Sequence, residues 1–206
     1  AGMQYLANNH AKRFDPRLLV EGTKSIISLI YPYYSSKTHH PDSFYRIARF
    51  ARGNDYHTVL KEKMQVLVQE IERRTGAFSY RCFTDSAPVS EKSWAVRSGL
   101  GRTGKNSLLL HPKHGSYIFI CEILCDLEIE PDTELQKDPC GTCTKCINSC
   151  PTQAFNGDGT IDARKCIAYY NIESKEITPV SISEKNPGWI FGCDICQTEC
   201  PYNQKK

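Results

Sequence analysis

The sequence predicts an α+β fold: a domain with a central sheet, α/β-like in its alternation of strands and helices, then a small cysteine-rich domain. Three observations predict it. β-Branched and aromatic runs at residues 23–34, 77–83, 106–110 and 116–124 alternate with helical patterns at 56–74 and 88–99. The texture changes at Pro139 to cysteine, glycine and proline. Eight of the eleven cysteines lie beyond that proline. The boundary therefore falls near 135–139, giving domains of 1–138 and 139–206.

Each element follows from its pattern. TKSIISLIYPYY (23–34) is apolar and β-branched, bounded by Gly22 and broken by Pro32, and reads as a buried strand. In residues 56–74, Leu60, Met64, Leu67 and Ile71 recur at helical spacing, and Gly76 stops the helix; Met64 is a core residue on this reading. AFSYRCF (77–83) reads as a strand, and PVSEKSWAVRSG (88–99) as a helix with Pro near its start and Gly at its end. NSLLL (106–110) and SYIFICEIL (116–124) read as two strands joined by a turn at 113–115. No apolar run approaches the roughly 20 residues of a membrane helix, and the N-terminal AGMQYLANNHAKRFDP has no signal-peptide core. Charge is uneven: residues 37–113 carry fourteen Lys/Arg against seven Asp/Glu, whereas 121–138 carry seven acids and only Lys137. The basic stretch suits an anionic partner such as a phosphate-bearing cofactor or nucleic acid, or is a solvated surface with none.

An odd cysteine count without an export signal fits metal ligation better than a disulfide framework. Residues 140–151, CGTCTKCINSCP, are spaced C-x₂-C-x₂-C-x₃-C-P, the bacterial ferredoxin run for a 4Fe–4S cluster. Three thiolates in one tight loop meet one cluster, and the fourth, turned away by the proline, serves another. Zinc is the alternative, but it prefers two C-x₂-C knuckles set well apart. The second motif, CDICQTECP (193–201), is one cysteine short, and Cys166 fills the gap. Cys140, Cys143, Cys146 and Cys200 then hold one cluster; Cys150, Cys166, Cys193 and Cys196 hold the other. Cys82, Cys121 and Cys125 remain as small buried hydrophobes in strands. A ferredoxin needs only about 60 residues for this, so the preceding domain is where the electrons are used.

The most informative stretch there is FTDSAPVSEKSWAVRSGLGRTGKNSLLL (83–110). Asp85 follows a strand and precedes a helix, where it is either a helix cap or a functional acid. GLGRTGKN permits close backbone approach to a ligand, with Lys105 available to a phosphate or amide, yet it is neither a Walker A run nor a clean GxGxxG.

These motifs, with GMQYLANN, RFDPRLL, GNDYH, GSYIFICEIL, PTQAF after the first cysteine run, KCIAYYNIE and GCDICQTECPYN, make the chain resemble the epoxyqueuosine reductases along nearly its whole length. The resemblance implies a cobalamin-binding domain and a ferredoxin-like domain with two 4Fe–4S clusters. It implies reduction of the epoxide of epoxyqueuosine at the tRNA wobble position to the alkene, the last step to queuosine. Asp85 matches the family's general acid, whose pKa must be raised by burial beside the cofactor. The clusters are implied to reduce cob(II)alamin to cob(I)alamin. Lys92, Lys105, Asn106, Gly115 and Ser116, together with Asp85, lie in segments implied to surround cobalamin. Ala168 and Glu173 lie in the segment joining Cys166 to the site, and Asp194 sits beside a cluster ligand. Arg46, Arg49 and Arg52 are candidates for tRNA phosphates. Asp55-Tyr56-His57 approaches the D-x-H-x-x-G pattern of histidine-ligated cobalt proteins, but Leu60 stands where glycine is required, so His57 is expected to be structural. The sequence departs from the family's usual residues at Lys92, Arg102 and Ala168, and it is expected to lack the family's first 40–50 residues and its helical-repeat extension. The implied setting is a cytoplasmic monomer off the membrane, with an electron donor such as flavodoxin or ferredoxin. The alternatives are another cobalamin reductase, such as a reductive dehalogenase, and a ferredoxin-like electron carrier.

Overall fold

The computed structural model describes residues 3–35, 44–132 and 134–204. Its strands are β1 (Ser25–Pro32), β2 (Arg46–Ile47), β3 (Tyr80–Phe83), β4 (Arg102–Thr103), β5 (Leu109–Leu110), β6 (Ile118–Cys125) and β7 (Trp189–Phe191). Its helices are α1 (His10–Phe14), α2 (Tyr56–Thr75), α3 (Glu91–Arg97), α4 (Lys145–Ser149), α5 (Val180–Ser183), α6 (Ile195–Thr198) and α7 (Pro201–Gln204). Among the described residues, no helix is long and apolar enough to cross a membrane. Part of the basic stretch, residues 37–43, lies outside the described residues.

The central sheet has the order β1-β6-β3, antiparallel throughout, with Ser28 and Phe83 both opposite Glu122. Side chains alternate across a strand, and this sheet is covered on both faces. Cys121 and Ile123 of β6 pack with Leu60, Met64 and Val68 of α2. On the other side, Leu124 packs with Phe83, Val89 and Trp94, and Ile118 with Ala95 and Leu109. Burial on both faces explains why β6 is an almost unbroken apolar run rather than an alternating one. Each fully buried aliphatic side chain contributes roughly 1.5–3 kcal/mol. Asp55 caps α2 by accepting the His57 N–H at 2.9 Å, and Gly76 ends it at φ +87°.

Several sequence expectations are corrected. The deepest stripe of α2 runs Leu60, Met64, Val68; Leu67 and Ile71 are only partly buried. β1 is half-buried, since β6 rather than β1 is central. The 77–83 strand shortens to β3. α3 begins at Glu91, because the Val89 N–H turns back to the Ala87 carbonyl and leaves Pro88 in a loop. The 106–110 strand shrinks to β5, which pairs with β4 and not with β6. Its first half is a turn: the Ser107 N–H bonds the Gly104 carbonyl, and Ser107 has φ +62°. The cysteine-rich region is joined to the rest through parallel pairing of β2 with β7. Cys121 and Cys125 are buried, and Cys82 is half-buried beneath α2.

Candidate active site and paired cysteine sites

Strand β3 delivers Asp85 to the edge of the sheet. Thr84 is buried and its hydroxyl bonds the Ile120 carbonyl at 3.0 Å, which fixes the departure point. Asp85 then takes the left-handed conformation, φ +54°, uncommon for a residue with a side chain. Its carboxylate accepts the Tyr56 hydroxyl at 2.5 Å, and the His57 Nε2 stands 3.8 Å away. Tyr56 is stacked between His57 and Phe119, with ring centroids 4.0 and 4.3 Å away. The helix-cap alternative for Asp85 fails: α3 starts six residues later, and the Asp85 side chain points to α2 instead. Its side chain is 67% exposed in the structure without a cofactor. Half-buried Glu91 accepts the Asp85 N–H at 2.6 Å. Burial, chiefly, pushes Glu91 up to about 7, and the Asp85 charge adds to the rise. Burial likewise raises Tyr56, with Asp85 adding to it.

Three cavities meet here. A cleft of about 350 Å³ is lined by Asp85, Tyr33, Phe50, Ala168, Cys193 and Asp194, among others. A second, about 570 Å³, lies between Tyr5, Asp85, Glu91 and Lys92. A third, about 500 Å³, shares Tyr33, Phe50, Tyr56 and Phe119 with the first and adds Arg49 and Arg52. Arg49 lies over the Tyr34 and Tyr117 rings, and Arg52 Nε donates to the Ile47 carbonyl at 2.9 Å, so both are held at the cavity wall. Arg46 is exposed.

The cysteines form two groups. Cys140, Cys143, Cys146 and Cys200 line a cavity of about 110 Å³ with Asn106, Leu110 and Tyr202. The loop is tight: the Cys143 N–H bonds the Cys140 carbonyl at 2.8 Å. Cys150, Cys166, Cys193 and Cys196 lie near enough to act on one another, and Cys146 of the first group acts on Cys196 as well. Burial pushes the Cys193 thiol up to about 12, and Cys166 and Cys150 add to the rise. Cys196 is raised by burial first and then by Cys193 and Cys166. Among the described residues, no three donors converge tightly enough for a single metal ion; the first four thiols surround a space instead. That space also meets a test for a polynuclear sulfide-bearing group. The Asn106 Nδ2 is buried on its wall with no hydrogen-bond partner among the described residues, and N–H donors to cluster sulfur are a standard feature of such sites.

The other sequence-predicted residues divide. Ala168 and Asp194 line the Asp85 cleft. Asp194 is buried and accepts the Arg49 N–H at 2.8 Å. Glu173 accepts the Tyr5 hydroxyl at 3.1 Å, and Lys92 faces the second cavity while its ammonium bonds the Ser107 carbonyl at 2.9 Å. Lys105 is turned to the first cysteine loop, donating to the carbonyls of Gly141 at 2.7 Å and Cys143 at 3.1 Å. Ser116 is tied to Asn203 and Gln197. Gly115 has φ +66°, and a Cβ there would lie 2.0 Å from the Asn203 Oδ1. These two residues clamp β6 to the C-terminal helices. Sequence reasoning missed Tyr56 and Glu91. Their signals were an aromatic directly after a helix cap and an acid six residues beyond Asp85, and neither is distinctive alone.

An acid-bearing sheet opening onto a double cysteine site defines an iron–sulfur protein of redox type. Residues 139–203 match the family model described as a 4Fe-4S double cluster binding domain, and residues 13–86 match "Epoxyqueuosine reductase QueG, DUF1730". The epoxyqueuosine reductase of Cyclobacterium marinum is 46% identical over 98% of this chain and 66% of its own length. That of Synechocystis is 39% identical over 100% of this chain and 71% of its own. A crystal structure of epoxyqueuosine reductase with a tRNA-Tyr epoxyqueuosine-modified stem loop superposes with a TM-score of 0.87, at 32% identity, over 95% of this chain and 53% of that one. The chain belongs to the epoxyqueuosine reductase family. It spans about two thirds of the length of the first of these relatives and about half of the solved chain.

Proposed function

We propose that this chain carries the reductive centre of an epoxyqueuosine reductase, with Asp85 as the proton donor to the opening epoxide. One observation carries the reading: Asp85 and the cysteine Cys193 line the same cleft. A proton source and an electron source thus face one volume.

On this reading Cys140, Cys143, Cys146 and Cys200 hold the first 4Fe–4S cluster, and Cys150, Cys166, Cys193 and Cys196 the second. Asn106 and Lys105 serve the first cluster, by an N–H toward its sulfur and by shaping its loop. Cobalamin fits the aromatic and apolar walls of Tyr33, Phe50, Phe119 and Ile120, and the two adjoining cavities enlarge the space beside them. Asp85, Lys92, Ala168, Glu173 and Asp194 would hold it, with Gly115 and Ser116 keeping the framework. When bound, cobalamin would supply low-potential cobalt chemistry. Asp85 is kept in place through Oδ2, which accepts the Tyr56 hydroxyl, and its other oxygen, when protonated, gives the proton to the departing epoxide oxygen. Arg49 and Arg52 supply positive charge at the third cavity for phosphate of the cofactor or of the tRNA. The tRNA stem loop in the related crystal structure supports the substrate class. A flavodoxin or ferredoxin in the cytoplasm is the donor proposed to meet the chain, acting as a monomer.

The test is anaerobic turnover of an epoxyqueuosine-bearing stem loop with reconstituted clusters and added cobalamin. Asp85→Asn is expected to lower turnover by at least about 100-fold with iron content unchanged and rates compared at equal bound cobalamin. Normal turnover by that variant refutes the acid role.

A further inference from the structure

Beside Asp85 lies a second carboxyl that the scheme above does not use. We infer that Glu91 is a positioning residue for Asp85: its Oε1 takes the Asp85 N–H and sets where the acid enters the cleft. The inference rests on the reading of Asp85 as the proton donor.

Phe83 is the last residue of β3 paired to β6, opposite Glu122. The Asp85 N–H therefore lies beyond the ladder and has no acceptor on β6. Glu91 provides it at 2.6 Å, returning from the first turn of α3 to close the 85–90 loop on itself. The far end of that loop is tied by the Ser90 N–H to the Arg13 carbonyl at 3.2 Å. Asp85 itself sits at φ +54°, a conformation that persists only where its surroundings impose it. The two halves of Asp85 are thus held by different elements. Tyr56 of α2 takes the carboxylate, and Glu91 of α3 takes the backbone.

Glu91 is not spent on a cation. Among the described residues its carboxyl bonds the Asp85 N–H, while the neighbouring Lys92 ammonium is turned to the Ser107 carbonyl. The charged group acting on it is Asp85, also acidic, and Glu91 in turn acts on Glu122 of β6. The Asp85 amide is the group it serves.

The experiment compares Glu91→Leu, which keeps bulk and loses the acceptor, with Glu91→Gln, which keeps an acceptor oxygen. Both carry reconstituted clusters, and iron content checks their integrity. Hydrogen–deuterium exchange in the peptide spanning 84–91 is expected to quicken by about tenfold or more in Glu91→Leu. Its kcat on the stem loop is expected to fall by about tenfold or more, with KM within about twofold. Glu91→Gln is expected to restore both readouts to within about threefold of the parent. Unchanged exchange and kcat in Glu91→Leu overturn the inference. A Gln variant as impaired as the Leu variant also overturns it, because charge rather than the acceptor then matters. Faster exchange in Glu91→Leu, in a parent that shows no turnover at all, upholds the positioning and sinks the acid reading instead.

Discussion

The sheet region and the cysteine-rich region of this molecule are built on opposite terms. The sheet rests on long elements, with β1 and β6 of eight residues each and α2 of twenty. Its interior is aliphatic on both faces of β6. Beyond Pro139 the helices are four or five residues long, too short to persist on their own. Among the described residues the buried apolar cluster there is Ala48, Ile167, Ile182 and Trp189, with Phe50, Tyr170, Cys193 and Ile195 packed against it, and Ala48 and Phe50 belong to the sheet side. Much of the local order is polar: Asn171 and Asn186 both donate to the Trp189 carbonyl, and Asp162 caps the turn before Cys166. We expect apolar burial to suffice to order the first region, and ligation by the thiols to be coupled to folding in the second.

The largest effect that tests this contrast comes from Cys166→Ala. On the proposed ligation it should lose about one cluster's worth of iron and bring turnover of the stem loop below detection, while circular dichroism of the sheet is retained. Iron at the parent level breaks both the pairing and the contrast. An intermediate effect comes from Ile123→Ala, which opens a cavity between β6 and α2 and should cost about 2–5 kcal/mol in chemical denaturation. Iron per folded molecule should stay constant; early release of iron on mild denaturation would show that the regions do not stabilise separately. A pH-dependent effect sharpens the account of the sheet. Glu122 is fully buried and bonded to the Ser28 hydroxyl at 2.7 Å, and burial pushes it up to about 9. The folded state keeps that proton where the unfolded chain has lost it, so stability falls as pH rises from the ordinary glutamate range toward about 9. Glu122→Gln removes this loss. Its stability relative to the parent should grow with pH by at most about 1.4 kcal/mol per unit. A difference independent of pH removes Glu122 as the titrating group.

Legibility in the sequence followed the range of the interactions. α2 was readable because Asp55, the apolar stripe and Gly76 all lie within one local pattern. β6 was readable as an apolar run. β2 with β7 and β4 with β5 were not, since a two-residue strand has no periodicity and exists only because a distant partner meets it. The 106–110 segment looked like a strand by composition, and the turn at Gly104–Leu108 overrode that preference. The cysteines were the most legible functional feature. Lys105, Gly115 and Ser116 were recognisable as special, but contacts from residues 141–203 decided what they touch.

What could be read residue by residue is the ligand inventory, the helix boundaries set by caps and glycine, and the location of an acid at the end of a strand. All of these depend on neighbours within a turn or two of chain, where spacing alone limits geometry. Packing decided which carboxyl is half-buried and which is exposed, that Cys193 shares a cleft with Asp85, and that Asn106 faces the first thiol cavity. Desolvation is summed over every atom around a group, and here those atoms come from β3, α2, α3 and a cysteine motif more than a hundred residues away from Asp85 in the chain. No window of sequence contains that sum.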